Sequence, residues 1–156
     1  MSEANNIVIG DILKTEDIYI QNSIKSRKQA LKFCSERIYP KIKDLFSYKV
    51  FFDKIVETDK TNIILPSGFY MPHIKIQEID DILSVLSIFP QGIKDEDSGI
   101  TFYIVFLFLS PLKPTFFQKH LNILSFLART FNQNNVADIC KLNEPAKIFS
   151  YLQNLK

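Results

Sequence analysis

The segment that most limits what this chain can become is residues 100–109, ITFYIVFLFL, ten residues interrupted only by Thr101. A membrane-spanning helix needs roughly 20 apolar residues, so the run is too short to cross a bilayer in that form. It is rich in β-branched and aromatic side chains, which instead suits a strand buried on both faces. Such a strand needs a covering layer on each side of its sheet. The sequence around it supplies helices, so an α/β domain is expected. No composition shift, linker or repeat divides the chain, and residues 1–156 read as a single domain.

The other elements follow from their punctuation. Ser26 is a plausible N-cap for a helix that carries Ala30, Leu31, Phe33 and Cys34 and stops near Pro40. A second helix is expected over 41–56, with Ile42, Leu45, Phe46, Phe52, Ile55 and Val56 on or near one stripe. Pro66-Ser67-Gly68 is a turn signal, followed by a short strand at Phe69-Tyr70-Met71. The run 82–89, ILSVLSIF, is another strand, closed by Pro90-Gln91-Gly92 before the acidic loop 94–98. Pro111 and Pro114 then end the buried strand. Thr115 and Gln118 have the spacing of a capping box. Phe117, His120, Leu121, Leu124, Leu127, Ala128 and Phe131 recur as one helix face, and two short helices are expected over 135–141 and 145–155.

Composition narrows the function classes. With 46% hydrophobic and 23% charged residues, the chain has enough apolar mass to build a core and is not disordered. Lys and Arg number 19 against 17 for Asp and Glu, a net of +2. Only three arginines occur (Arg27, Arg37 and Arg129), and no basic patch interleaves with aromatics, so a nucleic-acid partner is not expected. The opening MSEANNIVIG is polar first and apolar later, unlike a secretory leader. A cytoplasmic protein is therefore expected, with Cys34 and Cys140 as reduced, structural thiols. Four scattered glycines make no phosphate loop, and Ser67-Gly68 lacks the pattern of a hydrolase elbow.

Two histidines remain, and each is oddly placed. Met71 precedes Pro72 and is biased toward extended geometry, which puts His73 at or just beyond a strand end, where scaffolds present functional groups. His120 lies early on a helix, near unpaired N–H groups and the positive end of the helix dipole. That field disfavours imidazolium and attracts an anion such as phosphate. A neutral imidazole beside an anion site suits phosphoryl transfer to nitrogen. The competing reading is that a lone helix-face histidine is a hydrogen-bonded core residue. Two histidines without a cysteine or carboxylate cluster fall short of a metal site, and no cofactor is implied.

The stretch Gly68-Phe69-Tyr70-Met71-Pro72-His73 resembles the G-x-A-[IV]-P-H signature of the fructose/mannitol-type enzyme IIA family of the bacterial phosphoenolpyruvate-dependent phosphotransferase system, which includes nitrogen-regulatory IIA proteins. The likeness extends over nearly the whole chain. DILKTEDIYI is similar to the family's opening, Gly92-Ile93 to its turn, IVFLFLSP to its central strand, and His120-Leu121 to the H-L pair on the next helix. The two histidines are 47 positions apart, close to the family spacing.

The resemblance implies a mixed β-sheet flanked by helices on both faces. It also implies a phosphocarrier: His73 accepts a phosphoryl group from phospho-HPr, and His120 supports and neutralises it. The group then passes to a sugar-permease IIB domain or is held as a regulatory mark; the alternative is a non-catalytic regulatory interaction module on the same fold. Three departures stand out. IILPSG, residues 63–68, replaces a glycine-rich approach and should be stiffer. Tyr70 replaces an alanine. Glu57 stands where the family has an arginine, with Lys54 and Lys60 as nearby cations, while Lys75 keeps a basic residue just after the histidine.

Overall fold

The structure is a computed structural model that describes residues 7–155; the polar opening 1–6 and the last residue lie outside it. Its centre is β5 (Thr101–Pro111), the strand expected from the apolar run. Every side chain from Ile104 to Leu109 is fully buried. Ile104, Phe106 and Phe108 enter one core and Val105, Leu107 and Leu109 the other, as the two-residue period of a strand requires.

The sheet is mixed. β4 (Leu83–Lys94) lies antiparallel to β5, and β1 (Ile18–Ile20) runs parallel to β4 on its far side. The other edge of β5 carries two short parallel strands end to end, β2 (Phe69–Tyr70) and β3 (His73–Ile76). Between them stands Pro72, which has no N–H, while its carbonyl accepts from the Phe108 amide at 3.1 Å. Helices α1 (Arg27–Ile38) and α2 (Tyr48–Asp59) cover one face. The other face is covered by α3 (Phe117–Thr130), α4 (Gln133–Ile139), α5 (Pro145–Gln153) and the segment around Ile9, Ile12 and Leu13. No described helix is long and apolar enough to cross a membrane.

Several boundaries move, each for a local reason. The second helix begins at Tyr48 rather than 41, because Pro40 sits in a 3-10 turn (Tyr39–Lys41) and the Ser47 hydroxyl accepts from the Val50 amide as the true N-cap. Its inward side chains are Phe51 and Ile55, and Leu45 is left exposed. The strand expected to close at Pro90 continues to Lys94 through a register shift between Ile88 and Ile93. The proline is tolerated there because β1 pairs only as far as Ile88.

The capping box at Thr115 and Gln118 does not form. Pro114–Phe116 make a 3-10 turn, Phe116 caps α3 without a side-chain bond, and the Gln118 amide donates to Asn122 instead. The inward stripe of α3 is His120, Ile123 and Leu127, whereas Phe117 and Leu121 face outward. The next helix starts two residues earlier than expected, capped by Asn132, whose side chain accepts from the Asn135 amide. The last helix ends at Gln153 rather than 155.

Tyr70 departs from the family pattern without obstructing the histidines. Its ring enters the α1–α2 face, packed on Phe102 and under the Arg27 guanidinium, 4.7 Å from the ring centre. Arg27 in turn bonds the Asp59 and Asp95 carboxylates and the Asn62 carbonyl, tying α1 to α2 and to the β4–β5 loop. Cys34 is fully buried with its thiol 3.3 Å from the Ser87 hydroxyl, and burial pushes its pKa up to about 12. Both cysteines are free thiols.

Gly68 has φ +89°, and a Cβ there would come within 2.9 Å of the Tyr103 ring. Left-handed backbone and contact both disfavour a side chain at the entry to β2. Gly68→Ala should therefore lower unfolding stability by about 1–3 kcal/mol in a urea titration, while Ser67→Ala next to it, which removes a buried hydroxyl that has no hydrogen-bond partner among the described residues, should not lower it.

Candidate functional site

The site is built on β3 and β5 and closed by α3. In the register of these strands His73 lies beside Phe108 and Lys75 beside Ser110. Alternation puts all four side chains on the α3 face of the sheet, while Ile74 and Ile76 enter the opposite core. His73 therefore opens β3 rather than trailing the preceding strand. Its ring stacks on Phe108 with centroids 5.0 Å apart and planes 13° apart.

The Met71 carbonyl fixes that ring's proton. Nδ1 of His73 lies 2.8 Å from the carbonyl oxygen. A carbonyl can only accept, so Nδ1 carries the hydrogen and Nε2 keeps its lone pair. The Met71-Pro72 step is what turns the carbonyl back toward the ring two residues on.

His120 descends from the first turn of α3 onto the same spot. Its ring centroid is 5.3 Å from that of His73 and 5.6 Å from that of Phe108. Nδ1 of His120 is 2.7 Å from the Ser110 hydroxyl oxygen. The residue is only 5% exposed, so it is both a hydrogen-bonded core residue and a partner of His73. Thus the two histidines, 47 positions apart in the chain, meet at one place with their ring planes 56° apart.

Both rings are held neutral. Burial lowers the pKa of His73, opposed by the Met71 hydrogen bond and Asp59 and assisted by Lys75. Burial also drives His120 down to about 4, with His73 and Lys75 adding to the shift. Lys75 is the cation felt by both rings. Its ammonium lies 4.8 Å from the centre of the Phe117 ring, on the first turn of α3, and among the described residues it forms no ion pair.

Glu57 is placed differently. It stands on α2, which packs on the Ile74 side of β3, with its side chain 77% exposed and paired to Lys60 at 3.2 Å. Lys54 lies over the Phe46 ring at 5.6 Å. Neither Glu57, Lys54 nor Lys60 is among the charges that shift the two imidazoles. The acid at the family's arginine position is neutralised at the surface.

Residues 11–155 match the family described as phosphoenolpyruvate-dependent sugar phosphotransferase system, EIIA 2. The chain belongs to this family. Known structures agree in fold. The nitrogen regulatory protein IIA-Ntr from Neisseria meningitidis is 19% identical with a TM-score of 0.76, over 92% of this chain and 98% of that one. The IIA mannitol protein from Escherichia coli is 14% identical with a TM-score of 0.70, over 90% and 98%. A complex of the Escherichia coli mannitol enzyme IIA with phosphorylated enzyme IIB aligns with a TM-score of 0.70 at 13% identity, over 90% of this chain and 96% of that one. No curated protein sequence matches the chain closely enough to add to these. An EIIA 2 chain is thereby a component of the phosphotransferase system, whose common chemistry is phosphotransfer on histidine.

Both imidazoles and Lys75 are singled out in the sequence, whereas the Met71 carbonyl and the Ser110 hydroxyl that bond the two rings are not. Ser110 was visible only as part of the central-strand motif. Its signal is the even-numbered phase of β5, which places it next to Phe108 on the histidine face once β3 is laid alongside.

The buried neutral state of His120 has a stability consequence. Its folded pKa of about 4 lies below the unfolded value of 6.5, so between those pH values the unfolded chain binds more protons. Stability is then complete above about pH 6.5 and falls as the pH drops toward 4. Urea titrations should show wild type losing about 1–2 kcal/mol more than His120→Gln between pH 7 and pH 5. Equal losses in the two proteins would contradict this assignment.

Proposed function

We propose that this EIIA 2 protein is a cytoplasmic phosphocarrier, its residues 1–156 acting as one IIA unit, in which His73 accepts a phosphoryl group from phospho-HPr. The observation that carries the reading is the Nδ1 contact to the Met71 carbonyl, which leaves Nε2 of a neutral, half-buried imidazole free to attack. The Nε2 lone pair forms a bond to phosphorus as the N–P bond of phospho-HPr breaks. That bond's electron pair returns to the donor imidazole. No proton need leave His73, because Nδ1–H stays on Met71.

The surroundings suit that step. The Lys75 ammonium, uncommitted to any described carboxylate, supplies positive charge beside the incoming phosphoryl oxygens. Its position two residues after His73 on one strand face makes it, rather than Lys54 or Lys60, the cation of the site. His120, in the first turn of α3, stands near the positive end of the helix dipole, which favours an anion. Phe117 and Leu121, on either side of His120 along α3, are exposed, as is Leu112 just past β5. Such apolar surface beside the reactive nitrogen fits docking by a protein donor and acceptor. The acceptor is a sugar-permease IIB domain, as in the mannitol IIA–IIB complex of similar fold, or a regulatory target protein.

Incubation with enzyme I, HPr and labelled phosphoenolpyruvate should give an acid-labile, base-stable label that His73→Ala abolishes. Lys75→Met should slow labelling about tenfold or more and raise the pKa of both histidines in an NMR titration, with Lys75→Arg closer to wild type. A wild-type protein that takes no label but still captures a partner, unchanged by His73→Ala, would instead mark a non-catalytic interaction module.

A further inference from the structure

We propose that Ser110 is a positioning residue for phosphoryl transfer: its buried hydroxyl holds His120 in the Nε2–H tautomer, so that this ring offers a hydrogen-bond donor to the phosphoryl group. The proposal rests on the phosphocarrier reading only for its last clause; the tautomer assignment stands on geometry.

The geometry is a question of counting one proton. Ser110 is fully buried on β5, and its Oγ lies 2.7 Å from Nδ1 of His120. Among the described residues that ring nitrogen is its only hydrogen-bonding partner. Two arrangements satisfy the distance. If Nδ1–H donated to Oγ, the serine's own hydrogen would be left without an acceptor in a fully buried place, a cost of about 1–3 kcal/mol. If the serine donates to Nδ1, its hydrogen is paired and the hydrogen of His120 resides on Nε2, which is not among the sealed unpaired atoms and can reach solvent. The second arrangement wins by that margin. The low pKa of His120 removes the third possibility, a ring protonated on both nitrogens.

The two histidines then hold complementary tautomers. Met71 keeps the proton of His73 on Nδ1 and exposes a lone pair on Nε2. Ser110 keeps the lone pair of His120 on Nδ1 and exposes an N–H on Nε2. One ring can attack phosphorus, and the other, 5.3 Å away between centroids, can donate to a phosphoryl oxygen without bearing a charge. With the opposite tautomer His120 would present a second lone pair to an anion and repel it. Ser110 thereby acts through His120, in the way a hydrogen-bonding partner orients a functional histidine. The placement is not accidental along the strand. Ser110 is the register partner of Lys75, so β5 delivers the hydroxyl, and β3 the ammonium, to one level of the site.

Long-range proton–nitrogen NMR at pH 7.5 reads the tautomer directly. Wild-type His120 is expected in the Nε2–H form and His73 in the Nδ1–H form. In Ser110→Ala the His120 ring should become a mixture or invert. Labelling of His73 at saturating phospho-HPr should slow about tenfold or more, and Ser110→Thr, which keeps the hydroxyl, should restore both readouts toward wild type. An Nδ1–H tautomer for His120 in the wild type overturns the proposal even if the alanine variant does not fold. So does a Ser110→Ala protein whose tautomer and saturated rate are both unchanged. A wild type that shows the expected tautomer, loses it in Ser110→Ala, yet accepts no phosphoryl group supports the tautomer assignment and overturns the phosphocarrier reading instead.

Discussion

The pairing of β5 with its neighbours is the constraint on which the rest of this protein hangs. A strand whose side chains are fully buried on both faces cannot slip by one residue without driving both cores into the wrong layers. From Ile104 to Leu109 the side chains are apolar on each face. The first polar side chain on the even phase is Ser110, and it falls where β3 brings Lys75 and where α3 brings His120. The polarity of the site thus begins where the hydrophobic strand ends. Chemistry is placed by the same two-residue period that places the core.

Carrying β2 and β3 on one edge of β5 has a price in sheet hydrogen bonds, because the chain must break at Met71-Pro72. The break is also what aims the Met71 carbonyl at His73 Nδ1. An uninterrupted edge strand would direct that carbonyl along the ladder, and the imidazole would be free to choose either tautomer. The proline before the histidine is therefore a tautomer device as well as a stop. It works because Pro72 needs no N–H partner, while its own carbonyl still pairs with the Phe108 amide.

Much of this was legible in the residues. The buried strand and the α/β layering follow from patterns of local composition and spacing, and the family likeness rests on motif residues such as 68–73 and His120-Leu121. The misreadings share one cause, which is competition between local signals. Pro40 and Ser47 both punctuate the same stretch, and the later cap prevailed. Thr115 and Gln118 had the right spacing, but Pro114 drew the chain into a 3-10 turn first. Phe117 and Leu121 looked like core and are exposed, because the helix faces the sheet with His120, Ile123 and Leu127. What could not be read was any relation that crosses from one strand to another. Glu57, the acid at the family's arginine position, lies on α2, which packs on the far side of β3, and its carboxylate is paired to Lys60.

Both imidazoles being neutral bears on how the site can hold a dianion at all. A cationic His120 would bind phosphate more strongly, yet it would bind it equally before and after transfer and would slow onward passage. Burial sets the balance the other way. It lowers His120 to about 4 and leaves the ammonium of Lys75 as the cation beside both rings, exposed to water and screened by it. On the proposed reading, a hydrogen bond from the neutral His120 ring, aimed by Ser110, then carries the directional part of recognition. A carrier must release what it accepts, and a site with one solvated cation and neutral, oriented donors meets that demand better than a cage of buried charges would.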